Sequence, residues 1–306
     1  MMKHFISIAE HDADRLRHVL HVGRTLRGDR DAGRSNESAL AGQTLAMLFE
    51  KPSLRTRVSF AQAMNELGGH ALSLQQGEVG LGERETPADV ARVLSGMVHG
   101  IAARVFEHDK LVAMTHAADV PVINMLSDFS HPCQALADVM TAQDEFGEDL
   151  TDRTFAFVGD GNNVARSLAS LCAKLGARFV LSAPSGYRFS DDFTDQLQCL
   201  GAEFESIDDP HTAVEQADVI YTDTWVSMGQ EEEKAQRLAE FAGYRVDESL
   251  LAAAPPHAIV QHCLPAYRGV EITDAVMDGP QSRVFQQAHN RLHAQKGLLA
   301  VLMGGM

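Results

Sequence analysis

The 306-residue chain has a mass of 33.3 kDa, with 45% hydrophobic and 22% charged residues and a mean hydropathy of -0.14; this excludes disordered and membrane-embedded classes and predicts two domains of about 150 residues. A formal charge of -16 excludes nucleic-acid binding through a general basic face, because neutralising phosphates requires clustered Lys and Arg. Apolar runs are too short for a membrane span, no secretory leader is expected, and Cys133, Cys172, Cys199 and Cys263 lack CxxC spacing, so a reducing cytoplasm fits.

Apolar runs of strand length alternate with segments of helical period, the pattern of an α/β protein with parallel sheets. In the first half, strands are predicted over Thr44–Phe49, Ala71–Leu74, Ile101–Val105 and Val120–Ile123. Thr86-Pro87-Ala88-Asp89 combines an N-cap, a proline at the first helical position and an early acid, so a helix begins there. A further helix is predicted from His131 to about Glu145, and the polar run Gly147 to Arg153 marks the boundary. Beyond it come strands over Phe155–Val158, Phe179–Ser182, Val219–Thr222 and Ile259–Gln261, with a helix over Val164–Leu175 and a closing helix over Val284–Met303. The expected division is residues 1–147 with the C-terminal helix 285–306, and residues 148–284, each a parallel sheet flanked by helices.

Five segments carry the chemistry. After the first strand, Ser53-Leu54-Arg55-Thr56-Arg57 opens a helix whose unpaired N–H groups and positive dipole end suit a phosphate, with Ser53, Arg55 and Thr56 adding donors. On this segment alone a simple Ser53 N-cap with solvated arginines stays open. In His131-Pro132-Cys133-Gln134, an imidazole and an amide three residues apart share a helical face and suit a small O=C–NH2 group; a capping or packing histidine is the plain alternative. The turn Gly159-Asp160-Gly161-Asn162-Asn163-Val164 departs from a dinucleotide fingerprint at Val164, and no ribose-binding acid follows the next strand, so nicotinamide binding is not expected. Asn163 remains as a polar reader at a strand's carboxyl end. Asp223, in Thr222-Asp223-Thr224-Trp225, suits an ammonium group, and Cys263, in His262-Cys263-Leu264-Pro265, reads as packing or substrate contact before nucleophile.

In this order and spacing the five segments resemble the aspartate/ornithine carbamoyltransferase family over nearly the whole chain, with Asp223 to Ser227-Met228-Gly229 and His262-Cys263-Leu264-Pro265 resembling its ornithine branch. The resemblance implies carbamoyl transfer from carbamoyl phosphate to the δ-amine of L-ornithine, in arginine biosynthesis or urea-type metabolism, without metal or organic cofactor. It implies a homotrimer or a higher assembly of trimers, with the active site in the cleft between the domains of each subunit. Transfer to a modified ornithine or another amine, and a catalytically silent carbamoyl-phosphate-binding relative, are the alternatives. Carried over residue by residue, Ser53, Leu54 through its backbone, Arg55, Thr56 and Arg104 hold the phosphate. His131, Thr56 and Arg104 face the carbonyl oxygen; Gln134, Arg291 and the backbone carbonyls of Cys263 and Leu264 take the carbamoyl NH2. Asn163, Asp223, Ser227 and Met228 bind the amino-acid end of ornithine, and Asp223 and Cys263 assist loss of its proton. Arg57 is read as structural. Gly80 departs from the family pattern by lacking a polar side chain where a neighbouring subunit's loop is expected to reach the phosphate.

Overall fold

The computed structural model describes residues 2–226 and 231–306. The chain forms two compact units, Met1–Ala137 with His289–Met306, and Asp138–Ala288. In chain order the elements are α1 (Ala13–Asp31), β1 (Thr44–Phe49), α2 (Leu54–Glu66), β2 (His70–Gln75), α3 (Gln76–Val79), α4 (Pro87–Ser95), β3 (Gly100–Arg104), α5 (His108–Ala117), β4 (Val122–Leu126) and α6 (Pro132–Phe146). There follow β5 (Thr154–Val158), α7 (Asn163–Leu175), β6 (Arg178–Ser182), α8 (Asp191–Cys199), β7 (Phe204–Ser206), α9 (Pro210–Val214), β8 (Val219–Thr222), α10 (Lys234–Glu240), α11 (Glu248–Ala253), β9 (Ile259–His262), α12 (Asp274–Met277) and α13 (Val284–Gly304).

The first unit holds a parallel sheet ordered β2-β1-β3-β4. Its central strands β1 and β3 are buried nearly throughout, which is why both read as continuous apolar runs. Core residues Ala46, Leu48, Ile101, Ala103 and Val122 pack with Val90 and Ala91 of α4 and Leu111 and Met114 of α5. Thr86 caps α4 by accepting the Asp89 N–H at 3.1 Å, with Pro87 in the first turn as expected. The fourth strand lies later in the chain than predicted, at Val122–Leu126, because Phe5 pairs with Ile123 and orders the backbone there through Phe5 N–H to Val122 O and Asn124 N–H to Phe5 O, both 2.8 Å.

The second unit holds a parallel sheet ordered β7-β6-β5-β8-β9. Phe157 of β5 stacks on Tyr221 of β8 at 5.1 Å between ring centroids. Strand β7 has no counterpart in the sequence reading: at three mostly exposed residues it shows no apolar run, and pairing with β6 alone defines it. In each sheet the strand order reverses direction at one point, between β1 and β3 and between β5 and β8. Loops at the carboxyl ends of such neighbouring strands diverge to opposite faces and leave a crevice, where open α/β sheets take their ligands. The segments that leave those strands are Glu50 onward, Val105 onward, Gly159 onward and Asp223 onward.

Candidate active site

In the first unit the turn after β1 ends on Ser53, the N-cap of α2 in extended backbone. Ser53 Oγ accepts the Thr56 N–H at 3.4 Å and donates to Thr56 Oγ1 at 3.0 Å. Leu54 is 75% exposed, so toward a ligand it offers only its backbone. Thr56 is buried, and its Oγ1 accepts from Arg291 Nη2 at 2.9 Å. The other terminal nitrogen of Arg291 donates a very short hydrogen bond to Gln134 Oε1. A buried guanidinium of α13 thereby joins the N-terminal turn of α2 to the first turn of α6, and Ser53, Thr56, Arg291 and Gln134 form one chain of hydrogen bonds. The sequence reading put Arg291 and Gln134 on one substrate group; here they also bond each other.

Glu50 fastens this turn to the end of β3. Its N–H donates to Arg104 O at 2.9 Å, and its carboxylate accepts the Phe106 N–H and the Lys110 ammonium, each at 2.7 Å. Glu50 has no signal in the sequence because an acid before Lys51-Pro52-Ser53 looks like a solvated turn residue. Arg104 and His131 are both buried. Burial holds the His131 imidazole well below its ordinary pKa, and Arg291, Arg104, Lys51 and Arg55 push in the same direction, in that order. His131 is therefore a neutral imidazole among four cations, able to donate a hydrogen bond without adding charge. Cys133 packs inward with its Sγ 3.3 Å from Asn124 O, and burial pushes its thiol up to about 12, so it is no nucleophile.

Lys51, passed over in the sequence reading, belongs to the same cationic group. Its ammonium lies 4.6 Å from the centre of the Phe106 ring. Burial, then repulsion from Arg104, brings its pKa down to about 8. The cation is lost as pH rises through that value, so binding of a dianionic phosphate at this unit should weaken above pH 8. Carbamoyl-phosphate affinity measured by calorimetry from about pH 7 to about pH 9.5 is expected to fall roughly tenfold; Lys51→Met should flatten that profile.

Gly80 is explained by its local backbone. It caps α3 at φ +66°, a conformation that disfavours side chains, and a Cβ there would approach Arg84 Cδ to 2.8 Å.

In the second unit the turn after β5 opens α7, with Asn162 as N-cap. Its Oδ1 accepts the N–H groups of Val164 at 2.9 Å and Ala165 at 3.1 Å. Its Nδ2 donates to Asp223 Oδ2 at 3.0 Å. The other Asp223 oxygen accepts the Thr224 N–H at 2.8 Å and the Cys263 thiol at 3.0 Å. Asp223, buried beyond the end of β8, and Cys263, beyond the end of β9, the two residues expected to assist proton loss, are thus hydrogen-bonded to each other. Asn163, the expected polar reader, opens α7 beside them half-buried. Asn162 is the residue the reading missed, and its capping role was the available signal. Ser227 and Met228 lie outside the described residues.

The loop after β9 is held from beneath. His262 and Glu271 are both fully buried, with His262 Nε2 3.1 Å from Glu271 Oε1 and Nδ1 accepting the Leu264 N–H at 2.9 Å. Leu264 sits at φ +59° before a cis Pro265, so its carbonyl is directed by an uncommon backbone conformation. Asp223, His262 and Cys263 bring one ligand atom each within 4.8 Å of one another. Both His262 ring nitrogens are already engaged, however, and a metal ion at this cluster would have to break the Leu264 or Glu271 contact.

Residues 3–144 match the model of the aspartate/ornithine carbamoyltransferase carbamoyl-phosphate-binding domain, and residues 151–302 match that of the Asp/Orn-binding domain of the same family. Among relatives, the ornithine carbamoyltransferase of Methanosarcina acetivorans is 47% identical over 303 residues, covering 99% of this chain and all of that protein. That of Haloquadratum walsbyi is 47% identical over 299 residues, covering 98% and 97%. The solved ornithine carbamoyltransferase of Pyrococcus furiosus superposes with a TM-score of 0.95 at 45% identity, covering 99% of this chain and 98% of its own. With the two domain models together matching nearly the whole chain, the chain belongs to the aspartate/ornithine carbamoyltransferase family.

Proposed function

We propose that the chain transfers the carbamoyl group of carbamoyl phosphate to the δ-amine of L-ornithine, giving L-citrulline and phosphate. The observation that carries this reading is the pairing of two chemically complementary sites: four cations around a neutral His131 in one unit, and a buried carboxylate bonded to a thiol in the other. The first suits a phosphorylated carbonyl. The second suits an amine that must lose a proton.

In this reading Ser53, the Leu54 backbone, Arg55, Thr56 and Arg104 hold the phosphate at the positive end of α2. His131, Thr56 and Arg104 donate toward the carbonyl oxygen, where negative charge grows as the amine attacks, and such donors are worth roughly 3 to 4 kcal/mol each. Gln134, Arg291 and the carbonyls of Cys263 and Leu264 orient the carbamoyl NH2. Asn163, Asp223, Ser227 and Met228 receive ornithine. A free alkyl ammonium titrates near ~10.4, so the amine must be deprotonated before attack, and Asp223 with Cys263 is positioned to favour that. Bond formation between Nδ and the carbonyl carbon is matched by cleavage of the C–O bond to phosphate, which leaves with the bonding pair and takes up the second Nδ proton, giving citrulline and hydrogen phosphate.

Incubating carbamoyl phosphate separately with ornithine, acetylornithine, putrescine and aspartate tests this. A carbamoylated product with ornithine alone is the expected outcome. Tight carbamoyl-phosphate binding without product from any amine would favour the silent relative.

The same reading extends to a homotrimer serving arginine biosynthesis in the cytoplasm. Large apolar side chains exposed on the first unit, Leu54, Val58, Leu72, Val93 and Met97, support self-association through that unit. Light scattering is expected to give about 100 kDa, three times the chain mass, and Leu72→Glu with Val93→Glu to reduce it.

A further inference from the structure

Arg237 of α10 is a buried cation outside every motif that marked the site. Its Nη1 donates to Asp160 Oδ2 at 2.8 Å and to the Trp225 carbonyl at 3.1 Å, and its Nε donates to Glu233 at 2.9 Å. The guanidinium lies 4.7 Å from the centre of the Tyr187 ring. Tyr187 in turn packs on Phe241 at 4.6 Å between ring centroids, and Phe241 stacks on Trp225 at 5.7 Å, so the ring that covers the guanidinium is itself held by an aromatic cluster.

The two principal contacts lie on the two chain segments that hold Asp223. Asp160 is two residues from Asn162, whose N–H donates to Asp160 O at 2.7 Å and whose amide donates to Asp223. Trp225 is two residues beyond Asp223 along the chain. One guanidinium thereby restrains both segments that aim the carboxylate. It also has an electrostatic consequence. Burial pushes the Asp160 carboxyl up, Arg237 opposes that, and Asp223 adds to the upward push. Arg237, which it shares with Glu233, is the cation that balances the Asp160 carboxylate beside the Asn162–Asp223 contact.

Building on the ornithine reading, we infer that Arg237 is a positioning residue for the amine substrate, acting through Asp160 and Trp225 to fix the geometry and local charge of the Asn162–Asp223–Cys263 group. A side chain that only stabilised the fold would lower both substrates' performance together when replaced. A positioning residue acts on one substrate.

The test uses the full chain and the variants Arg237→Lys, Arg237→Gln, Asp160→Asn and the double variant Asp160→Asn with Arg237→Gln. Arg237→Gln is expected to raise KM for ornithine roughly 10- to 100-fold while kcat and the KM for carbamoyl phosphate change less than about threefold. Lysine should recover part of the loss, and the double variant should fall short of the product of the single effects, since the two groups are in contact. Equal effects on both substrates, or a lowered melting temperature with an unaltered ornithine KM, would overturn the inference. A second readout does not require turnover: alkylation of Cys263, followed by peptide mass spectrometry, should change severalfold in Arg237→Gln and Arg237→Lys relative to wild type, whereas equal rates would count against positioning. If the wild-type chain carbamoylates no ornithine, the underlying substrate reading fails, and the alkylation rates still decide whether Arg237 shapes this group.

Discussion

Asp223→Asn is expected to lower kcat/KM for ornithine by roughly 10²- to 10³-fold, the loss that follows removal of one partner of a hydrogen-bonded charge pair worth about 3 to 4 kcal/mol. The substitution keeps the shape and removes the charge. It also creates a conflict in the free protein. Both oxygens of Asp223 accept hydrogen bonds, one from Asn162 and the other from Thr224 and Cys263. Whichever way the new amide turns, its NH2 group faces a donor, so at least one buried contact is lost. A fall in stability of about 1 to 3 kcal/mol should accompany the kinetic loss. Carbamoyl-phosphate binding, which involves the first unit, should stay within a few-fold of wild type. Steady-state kinetics against ornithine, chemical denaturation and calorimetry with carbamoyl phosphate separate the three quantities. Retention of ornithine kinetics in Asp223→Asn would remove Asp223 from the proposed mechanism.

Arg291→Met is the second large effect, and it falls on the other substrate. The methionine fills much of the volume but leaves Thr56 Oγ1 and Gln134 Oε1 without the donor that joins them. With Gln134 released and a cation removed from where the proposed mechanism puts the carbamoyl group, kcat should fall roughly 10²- to 10³-fold, as for loss of a preorganised donor. A second consequence concerns pH. Arg291 is the largest of the charged influences that hold His131 neutral, after burial itself. Its removal lets the His131 pKa move upward from its depressed position. In the wild type, a histidine whose folded pKa lies below its unfolded value of about 6.5 contributes stability that is present at neutral pH. That stability is lost as pH falls below 6.5, because only the unfolded chain takes up the proton. In Arg291→Met this pH-dependent loss should shrink, even though total stability is lower. Melting temperatures recorded between about pH 5 and pH 8 for both proteins provide the comparison; identical slopes would mean that Arg291 does not set the charge state of His131.

These expectations rest unequally on sequence and on structure. The amino-acid sequence alone determined the α/β class and the positions of most strands; β1 and β8 occupy Thr44–Phe49 and Val219–Thr222, the runs read from apolar content. A strand buried on both faces must be apolar at nearly every residue, so such elements announce themselves locally. Ser53 and the Thr86-Pro87 pair were legible for a similar reason, since a helix start is a short-range arrangement. Helix α1 was not read, although Leu16, Val19, Leu20 and Leu26 recur on its buried side, because arginine and histidine interrupt the pattern.

Only the tertiary structure decided which polar groups meet. Asn162 bonds Asp223 across 61 residues, Gln134 meets Arg291 across 157, and Thr56 meets Arg291 across 235. The neutral state of His131 likewise follows from burial among cations drawn from several elements. Local propensity and hydrophobic periodicity act over a few residues, whereas ion pairing, desolvation and hydrogen-bond geometry act over a few ångströms. The sheets convert one scale into the other by bringing the carboxyl ends of separate strands side by side.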